Sequence, residues 1–220
     1  MADMEKTLVD LSHVIEDGMT TYQGLPAPHI CDFWKRDESA ANYDDGSTFQ
    51  IGRIDMVGNT GTYLDTPFHR YAEGDDLAAV TLERLAGLDG LCVRAEATAV
   101  DADLFEPLDV AGKAVLVRTG WDRHWRTGAY FHGHPYLTEG AARLLGERGA
   151  ALVGIDSYNI DDTSLRRRPV HTILLGAGTL ICEHMTNLAA LPASGFRFTA
   201  APPRIAGFGT FPVRAYAGIG

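Results

Sequence analysis

A strand–helix–strand succession in the second half of the chain limits its possible folds more than any other feature. Residues 114–118 form a short apolar run, which is typical of a buried strand. Residues 138–149 are predicted to form a helix with Thr138 as its N-cap and Gly149 as its stop. A second apolar strand is predicted directly afterwards, at residues 152–155. Because β-prone segments precede this succession, we predict a mixed α/β fold, whose strand order the pattern leaves open.

The first half of the chain is predicted to consist mainly of strands and loops. Residues 7–15 contain a short β-prone run, and a loop punctuated by Gly and Pro follows at 18–28. Residues 48–57 alternate between apolar and polar from Phe49 onward, which predicts a half-buried strand. The remaining predicted elements are a loop at 58–69, a short helix at 81–85 and a strand at 91–95.

Length and charge restrict the classes of function. The chain has 220 residues, and we predict a single domain over 1–220. Its formal net charge of −10 argues against nucleic acid as a partner, because phosphate contacts need a surplus of Lys and Arg. The basic run at 166–168 is interpreted as a solvated loop. The sharper alternatives for this run are a clamp for an anionic substrate and an inter-subunit ion pair.

Cysteine spacing and the chain's start bear on its location. Cys31, Cys92 and Cys182 are far apart and odd in number, which argues against a disulfide framework or a structural zinc knuckle. Residues 1–6 are not a basic region that leads into an apolar run, so we expect no signal peptide. No apolar stretch is long enough to span a membrane, and we expect no membrane partner. The cytoplasm is the expected location.

Segment 58–69 has the densest set of chemically useful side chains. Its glycines permit tight turns, and Pro67 biases Thr66 towards extended geometry. Asp65 and His69, four residues apart, form a plausible general-base or ligand pair. On this pattern alone, the commoner interpretation is that Asp65 caps a turn and His69 lies on the surface.

A second cluster comprises His171, Glu183 and His184. Imidazole and carboxylate groups suit zinc or manganese. The alternative is that Glu183 is an acid at the N-terminus of a helix that continues to Leu188. In that interpretation His184 lies on the surface.

Aromatic residues are the candidates for contacts with a substrate. Aromatic side chains on loops can form the walls of a pocket for a planar molecule. Their commoner use is packing in the core or across an oligomer interface. The candidates are Tyr22, Phe33, Trp34 and Trp121.

Segment 59–69 resembles the signature of the cyclase family, which includes bacterial kynurenine formamidase and isatin hydrolase. That signature reads His-x-Gly-Thr-His-x-Asp-x-Pro-x-His. This chain reads Asn-Thr-Gly-Thr-Tyr-Leu-Asp-Thr-Pro-Phe-His, with Asn59 and Tyr63 in place of the first two histidines. The resemblance continues in order and spacing along most of the chain. The further matching segments are 10–19, 117–121, 154–157, 171–175, Glu183 with 186–188, and 212–215.

The resemblance implies a swivelling β/β/α-type fold, assembled as a homodimer or homotetramer, and chemistry on amide or lactam bonds. In the family's formamidases, a bridged pair of zinc ions activates water. By position, one metal ion would take ligands from residues 59, 63 and 65. The other would take Asp65, His171 and Glu183, and His69 matches the histidine that acts as acid and base.

The two departures from the signature weaken the first of these metal sites. Asn59 supplies only a neutral amide oxygen, and Tyr63 ligates only as a phenolate, from a pKa near 10. The three ligands of the second site remain and could hold one Zn²⁺ or Mn²⁺, with a fourth position open for water. The alternative is a pocket without metal, in which the same residues hydrogen-bond each other.

Three functions are compatible with these residues. The first is a formamidase-like hydrolase of a small amide, lactam or ester, with one metal ion and His69 as acid/base. The second is a metal-independent lyase or cyclase that uses Tyr63, Asp65 and His69, with Tyr63 and Asn59 as oxyanion donors. The third is a catalytically silent member that binds a small molecule.

Overall fold

A nine-stranded mixed sheet organises the chain, which a computed structural model describes over residues 7–220. The strands are β1 (Thr7–Asp10), β2 (His29–Trp34), β3 (Ile51–Asp55), β4 (Tyr63–Asp65), β5 (Leu88–Arg94), β6 (Ala99–Val100), β7 (Ala114–Arg118), β8 (Tyr136–Leu137), β9 (Leu152–Ile155), β10 (Leu180–Glu183), β11 (Ser194–Thr199), β12 (Thr210–Pro212) and β13 (Tyr216–Ile219). The α-helices are α1 (Arg36–Ser39), α2 (Glu139–Glu147) and α3 (Pro169–Gly176). The 3₁₀ turns are Ala40–Asn42, Pro67–His69, Leu82–Arg84, Ala102–Leu104, Trp121–His124, Gly128–Phe131 and Leu188–Ala190. The expectation for residues 1–6 lies outside the described residues.

The order of strands in the main sheet is β1-β13-β11-β5-β7-β9-β10-β4-β12. Its four central strands, β5, β7, β9 and β10, are parallel, and the strands towards both edges pair antiparallel. Parallel neighbours need a crossover connection. Helix α2 lies in the connection from β7 to β9, and α3 in the connection from β9 to β10. The predicted α/β fold is thus confirmed.

Strand β7 shows why the central strands are rich in apolar residues. Val115 and Val117 belong to one buried cluster, which also contains Leu145 of α2 and Leu174 of α3. Leu116 belongs to a second buried cluster. Since successive side chains of a strand point to opposite faces, both faces of the sheet are covered.

The second cluster extends from one end of the sheet to the other. It contains Leu64 of β4 and Ala217 of β13, which lie near opposite edges. Residues so far apart in the strand order share a cluster only if the sheet curls around it. The curled sheet therefore encloses one apolar core, while α2 and α3 cover the other.

The predicted strand–helix–strand succession forms with the predicted signals. Strands β7 and β9 have the predicted bounds. The Thr138 hydroxyl caps α2 by accepting a hydrogen bond from the backbone N–H of Ala141, at 3.2 Å. Gly149 follows the helix with a positive φ of 71°, which glycine adopts without strain.

The strand predicted at 48–57 exists, but its predicted burial is wrong. Strand β3 covers Ile51–Asp55, and all five residues are exposed. It pairs only with β2 in a separate two-stranded sheet. The alternating segment therefore forms a strand, but the apolar side chains of that strand do not face the core.

The prediction of an uninterrupted loop at 58–69 is also wrong. Tyr63–Asp65 is a buried strand, β4, between β10 and β12. Three residues are too few for a recognisable alternation, and pairing on both edges supplies the missing stabilisation. The register sets Glu183 opposite Tyr63 and Thr210 opposite Asp65.

The helix considered for 183–188 does not form. Glu183 ends strand β10, and the chain turns immediately afterwards. His184 and Asn187 both have positive φ, 54° and 57°, which interrupts any helix. A single 3₁₀ turn follows at Leu188–Ala190.

Cys31, Cys92 and Cys182 are free thiols. Burial raises the pKa of Cys92 to about 11, which leaves its thiol protonated near neutral pH. No helix in the described part of the chain combines the length and apolar character needed to cross a membrane.

Candidate active site

Three buried side chains from the sheet and α3 converge at one point. Asp65, His171 and Glu183 each offer one ligand atom, and these atoms lie within 4.8 Å of one another. His171 Nε2 is 3.8 Å from Oδ2 of Asp65 and 3.7 Å from Oε2 of Glu183. Metal bonds of about 2.0–2.2 Å in a near-tetrahedral site separate the ligand atoms by roughly 3.5 Å. The spacing of the three atoms therefore suits a small divalent cation.

Asp161 orients the His171 ring. Its carboxylate accepts a hydrogen bond from His171 Nδ1 at 2.6 Å. It also accepts the backbone N–H groups of Val170 and His171, at 2.8 and 3.0 Å, where α3 begins. Nε2, the other ring nitrogen, faces Asp65 and Glu183, and in the neutral ring it would offer its lone pair to a metal ion. A carboxylate behind a ligating imidazole is the usual arrangement at protein metal sites.

Only one of the two Asp65 carboxylate oxygens has a hydrogen-bond partner in the described residues. Its Oδ1 accepts a hydrogen bond from the Thr210 hydroxyl. Its Oδ2 is buried and has no hydrogen-bond partner among residues 7–220, and it is the oxygen that faces His171. A buried carboxylate oxygen without a partner is costly, and a bound cation would remove that cost. The donor set therefore fits a metal ion.

The local charges also favour a cation. Burial lowers the pKa of His171, but the carboxylates of Glu183, Asp161 and Asp65 outweigh burial and leave this pKa well above its usual value. Burial raises the pKa of Glu183, and the facing His171 outweighs it and leaves this pKa below its usual value. Both shifts show that the cluster stabilises positive charge between its carboxylates.

His69 connects to the same carboxylate through Thr210. His69 Nδ1 lies 2.7 Å from Thr210 Oγ1 and 3.5 Å from Asp65 Oδ1. Because the Thr210 hydroxyl gives its one proton to Asp65, its oxygen accepts from His69 Nδ1. In the neutral ring, the lone pair of His69 therefore lies on Nε2. The side chain is 33% exposed, so this atom can meet a small molecule.

Tyr63 is almost completely buried, and its hydroxyl donates to Oε2 of Glu183 at 2.7 Å. Burial, reinforced by the charges of Glu183 and Asp65, raises the pKa of Tyr63 well above its usual value. The phenol therefore keeps its proton. The nearby Asn59 side chain acts in the opposite direction on this pKa but does not outweigh burial. Tyr63 is thus a hydrogen-bond donor to Glu183 in this arrangement.

His184 continues this chain of contacts away from Glu183. The expectation that it lies on the surface is wrong, because it is fully buried. Its Nε2 lies 3.2 Å from the Tyr63 hydroxyl, and its Nδ1 lies 2.9 Å from the Tyr130 hydroxyl. Burial lowers the pKa of His184 to about 4, so the ring is neutral near pH 7. Tyr130 donates to Nδ1, Nε2–H donates to Tyr63, and Tyr63 donates to Glu183.

Two side chains of the site, Asp161 and Thr210, were not singled out from the sequence. Thr210 was missed because its partner Asp65 lies 145 residues away along the chain. Asp161 lies 10 residues before His171, and a carboxylate at that spacing carries no distinctive signal.

A cleft of about 170 Å³ reaches these residues. Of the aromatic candidates, Tyr22 lines this cleft, whereas Trp121 lines a separate cavity of about 470 Å³. Phe33 and Trp34 are exposed on β2, outside the cleft. A larger cavity of about 570 Å³ shares Tyr22 with the cleft but contains none of the three candidate ligands. The cleft is lined by Tyr22, Leu25, Asn59, Tyr63, His69, Arg70, Asn159, Arg168, His171 and Glu183.

Known proteins resemble this chain in sequence and in fold. A family model described as "Putative cyclase" matches residues 9–162. Kynurenine formamidase from Geobacillus thermodenitrificans (strain NG80-2) is 25% identical over 209 residues, which span 90% of this chain and 95% of that protein. Isatin hydrolase A from Labrenzia aggregata, bound to benzyl benzoate, has a TM-score of 0.82 at 21% identity, covering 97% of this chain and 94% of that one. A predicted metal-dependent hydrolase from Bacillus stearothermophilus has a TM-score of 0.76 at 24% identity, covering 97% and 98%.

Proposed function

Because the chain belongs to the cyclase family that its segment 59–69 resembles, we propose that it is a metal-dependent hydrolase of a small amide, lactam or ester. Asp65, His171 and Glu183 hold a single ion, zinc or manganese, both of which accept imidazole and carboxylate ligands. The observation that carries the proposal is Oδ2 of Asp65, buried without a partner 3.8 Å from His171 Nε2. The activities of two similar proteins, a kynurenine formamidase and an isatin hydrolase, support the bond class.

The chemistry divides between the ion and the acid/base group. When bound, such an ion lowers the pKa of water to about 7 and polarises a carbonyl oxygen. His69 lines the cleft, and its Nε2 is free to take a proton from the attacking water and return it to the leaving nitrogen or oxygen. Thr210 and Asp65 fix the tautomer that this role requires.

In this proposal the series of hydrogen bonds from Tyr130 through His184 to Tyr63 holds Glu183 in place. The Tyr63 hydroxyl donates to Oε2 of Glu183 at 2.7 Å, and the backbone N–H of Ile160 donates to Oε1 at 2.6 Å. The ligand oxygen is therefore oriented by groups that carry no charge. At a position where the family signature has histidine, Tyr63 acts as a hydrogen-bond donor to Glu183.

Two observations disfavour the other candidate functions. A metal-independent lyase or cyclase would use the Tyr63 hydroxyl as an oxyanion donor, but that hydroxyl already donates to Glu183. A silent binding protein would have a filled or occluded pocket, whereas the cleft of about 170 Å³ opens onto His69 and His171. Hydrolysis is the function that uses these groups as they lie.

We expect protein purified without chelator to contain close to one zinc or manganese ion per chain, measured by elemental analysis. Chelator should remove the ion and the turnover of a panel of formanilide, a lactam and a phenyl ester, and added metal should restore both. A metal content of zero together with turnover in chelator would contradict the single-metal hydrolase. Two ions per chain would contradict the view that Asn59 and Tyr63 close the metal site at residues 59, 63 and 65.

Replacing Tyr63 by phenylalanine (Y63F) is expected to weaken metal binding by roughly 10- to 100-fold, the usual effect of losing a group that orients a ligand. The measurement is a competition titration against a chromophoric chelator. Y158F is the matched control, because the Tyr158 hydroxyl contacts the backbone of Gln23 and not Glu183. Unchanged affinity in Y63F would show that the phenol does not support the ligand.

A further inference from the structure

Two arginines line the same cleft as the candidate ligands. Arg70 directly follows His69 and is exposed, and Arg168 lies half-buried just before α3. Both also line a neighbouring cavity of about 350 Å³, in which Arg166 takes part. Of the basic run at 166–168, only Arg168 reaches the cleft that contains His171.

Neither guanidinium group forms an ion pair within residues 7–220. Arg70 Nε donates to the Thr172 hydroxyl at 3.2 Å. Arg168 donates to main-chain carbonyls, the shortest contact being 2.6 Å to Leu165, and lies 3.5 Å from the Tyr22 hydroxyl. Both arginines keep their full positive charge at the cleft.

Nearby arginines on the same surface behave differently. Arg143 and Arg167 both pair with Glu139, at N–O distances of 2.5 and 3.5 Å. The chain as a whole carries a formal net charge of −10, so its long-range field repels anions. Arg70 and Arg168, which have no carboxylate partner, therefore place two positive charges in the cleft beside the acidic candidate ligands.

The Thr172 hydroxyl forms hydrogen bonds with both arginine residues. Thr172 Oγ1 donates to the main-chain carbonyl of Arg168 at 2.8 Å and accepts from Arg70 at 3.2 Å. Holding side chains in place before a ligand arrives lowers the entropy cost of binding. A planar guanidinium matches a carboxylate with two parallel N–H···O bonds, which an amide or alkyl group cannot form.

We propose that the substrate carries a carboxylate, which Arg70 and Arg168 bind while the scissile carbonyl lies at Asp65, His171 and Glu183. The substrate class is therefore a small amide, lactam or ester with a free carboxylate beside the bond that is cleaved. This rests on the proposed hydrolase function for the reaction, but the carboxylate site stands on its own contacts. The volume of about 170 Å³ restricts the class to small molecules.

Equilibrium binding tests the carboxylate site without turnover. Benzoate and benzamide are titrated by calorimetry into metal-free and metal-loaded protein. Benzoate is expected to bind both forms better than benzamide, and R168Q and R70Q should each weaken it by roughly 10- to 100-fold, the value of a charged hydrogen bond. R166Q is the matched control, because Arg166 has the same charge but does not line the cleft.

Two results would overturn the carboxylate site. The first is benzoate binding that requires metal and persists in both variants, which would place the carboxylate on the ion alone. The second is an equal affinity for benzoate and benzamide in the wild type. If R168Q misfolds, R70Q still tests the site, since the Arg70 guanidinium contacts one hydroxyl and no main-chain carbonyl.

Turnover separates the failure of this inference from the failure of the hydrolase function. Formanilide is compared with its ortho-carboxylate by the ratio of kcat/KM. R168Q and R70Q should lower that ratio by roughly 10- to 100-fold, mainly through the KM of the carboxylate substrate. Hydrolysis with an unchanged ratio would overturn the carboxylate site alone. No hydrolysis, with benzoate binding that still depends on the arginines, would overturn the hydrolase function alone.

Discussion

Replacing Asp65 by asparagine (D65N) is expected to abolish metal binding and to lower kcat/KM by a factor on the order of a thousand. Asp65 serves two groups at once, because Oδ2 faces His171 and Oδ1 accepts from Thr210. An amide keeps the shape but removes the charge and points an N–H₂ group at one of the two. Without the metal ion, the transition state loses several kcal/mol of stabilisation, which corresponds to a rate lower by roughly a thousandfold.

Elemental analysis and steady-state kinetics on a formanilide substrate measure the two effects of D65N. D103N is the control, since Asp103 is exposed and does not line the cleft. Metal-free D65N is expected to unfold at no lower temperature than metal-free wild type, because Oδ2 has no hydrogen bond to lose. Metal binding at wild-type affinity in D65N would exclude Asp65 as a ligand.

Replacing Gly209 by alanine (G209A) is expected to damage stability and activity together. The added Cβ would lie 2.4 Å from the backbone nitrogen of His69 and 2.6 Å from its Cα. No side-chain rotation relieves a clash with backbone, so the turn at Pro67–His69 must move. Overpacking of this kind costs about 1–3 kcal/mol of unfolding free energy. Moving a catalytic group by about 1 Å lowers the rate by roughly 100-fold.

Urea denaturation and kcat/KM measure the two effects of G209A. G128A is the matched control, because nothing lies within 4 Å of a Cβ at Gly128 and that glycine does not have a positive φ. Metal content should remain near that of the wild type, since the three ligands are not displaced directly. Full activity in G209A would show that the position of His69 does not limit turnover.

Much of the fold was predictable because its signals are local. Strands β7 and β9 and helix α2 formed at their predicted positions, since a buried apolar run and a capped helix need only their own residues. The exposure of Ile51–Asp55 was not predictable in this way. Alternation predicts a strand but not which partner it pairs with, and β3 pairs only with β2.

In the candidate site, too, some residues could be predicted from the sequence and others depended on contacts between distant residues. Asp65, His171 and Glu183 could be proposed from the sequence through the family signature, and the structure brings them together. The burial of His184 could not be predicted, because its contacts with Tyr63 and Tyr130 span 121 and 54 residues. A residue in a turn with positive φ gives no periodic signal that would place it inside or outside the core.

The sequence by itself determined the α/β class and the cyclase family, and it predicted the candidate metal ligands and the unusual Asn59 and Tyr63 of the resembled signature. These depend on residue type and spacing, which the chain carries before it folds. Only the tertiary structure decided that Tyr63 donates to Glu183 and that Arg168, within its basic run, reaches the cleft. Such contacts arise when the register of β4 with β10 and the start of α3 bring distant side chains within hydrogen-bond range.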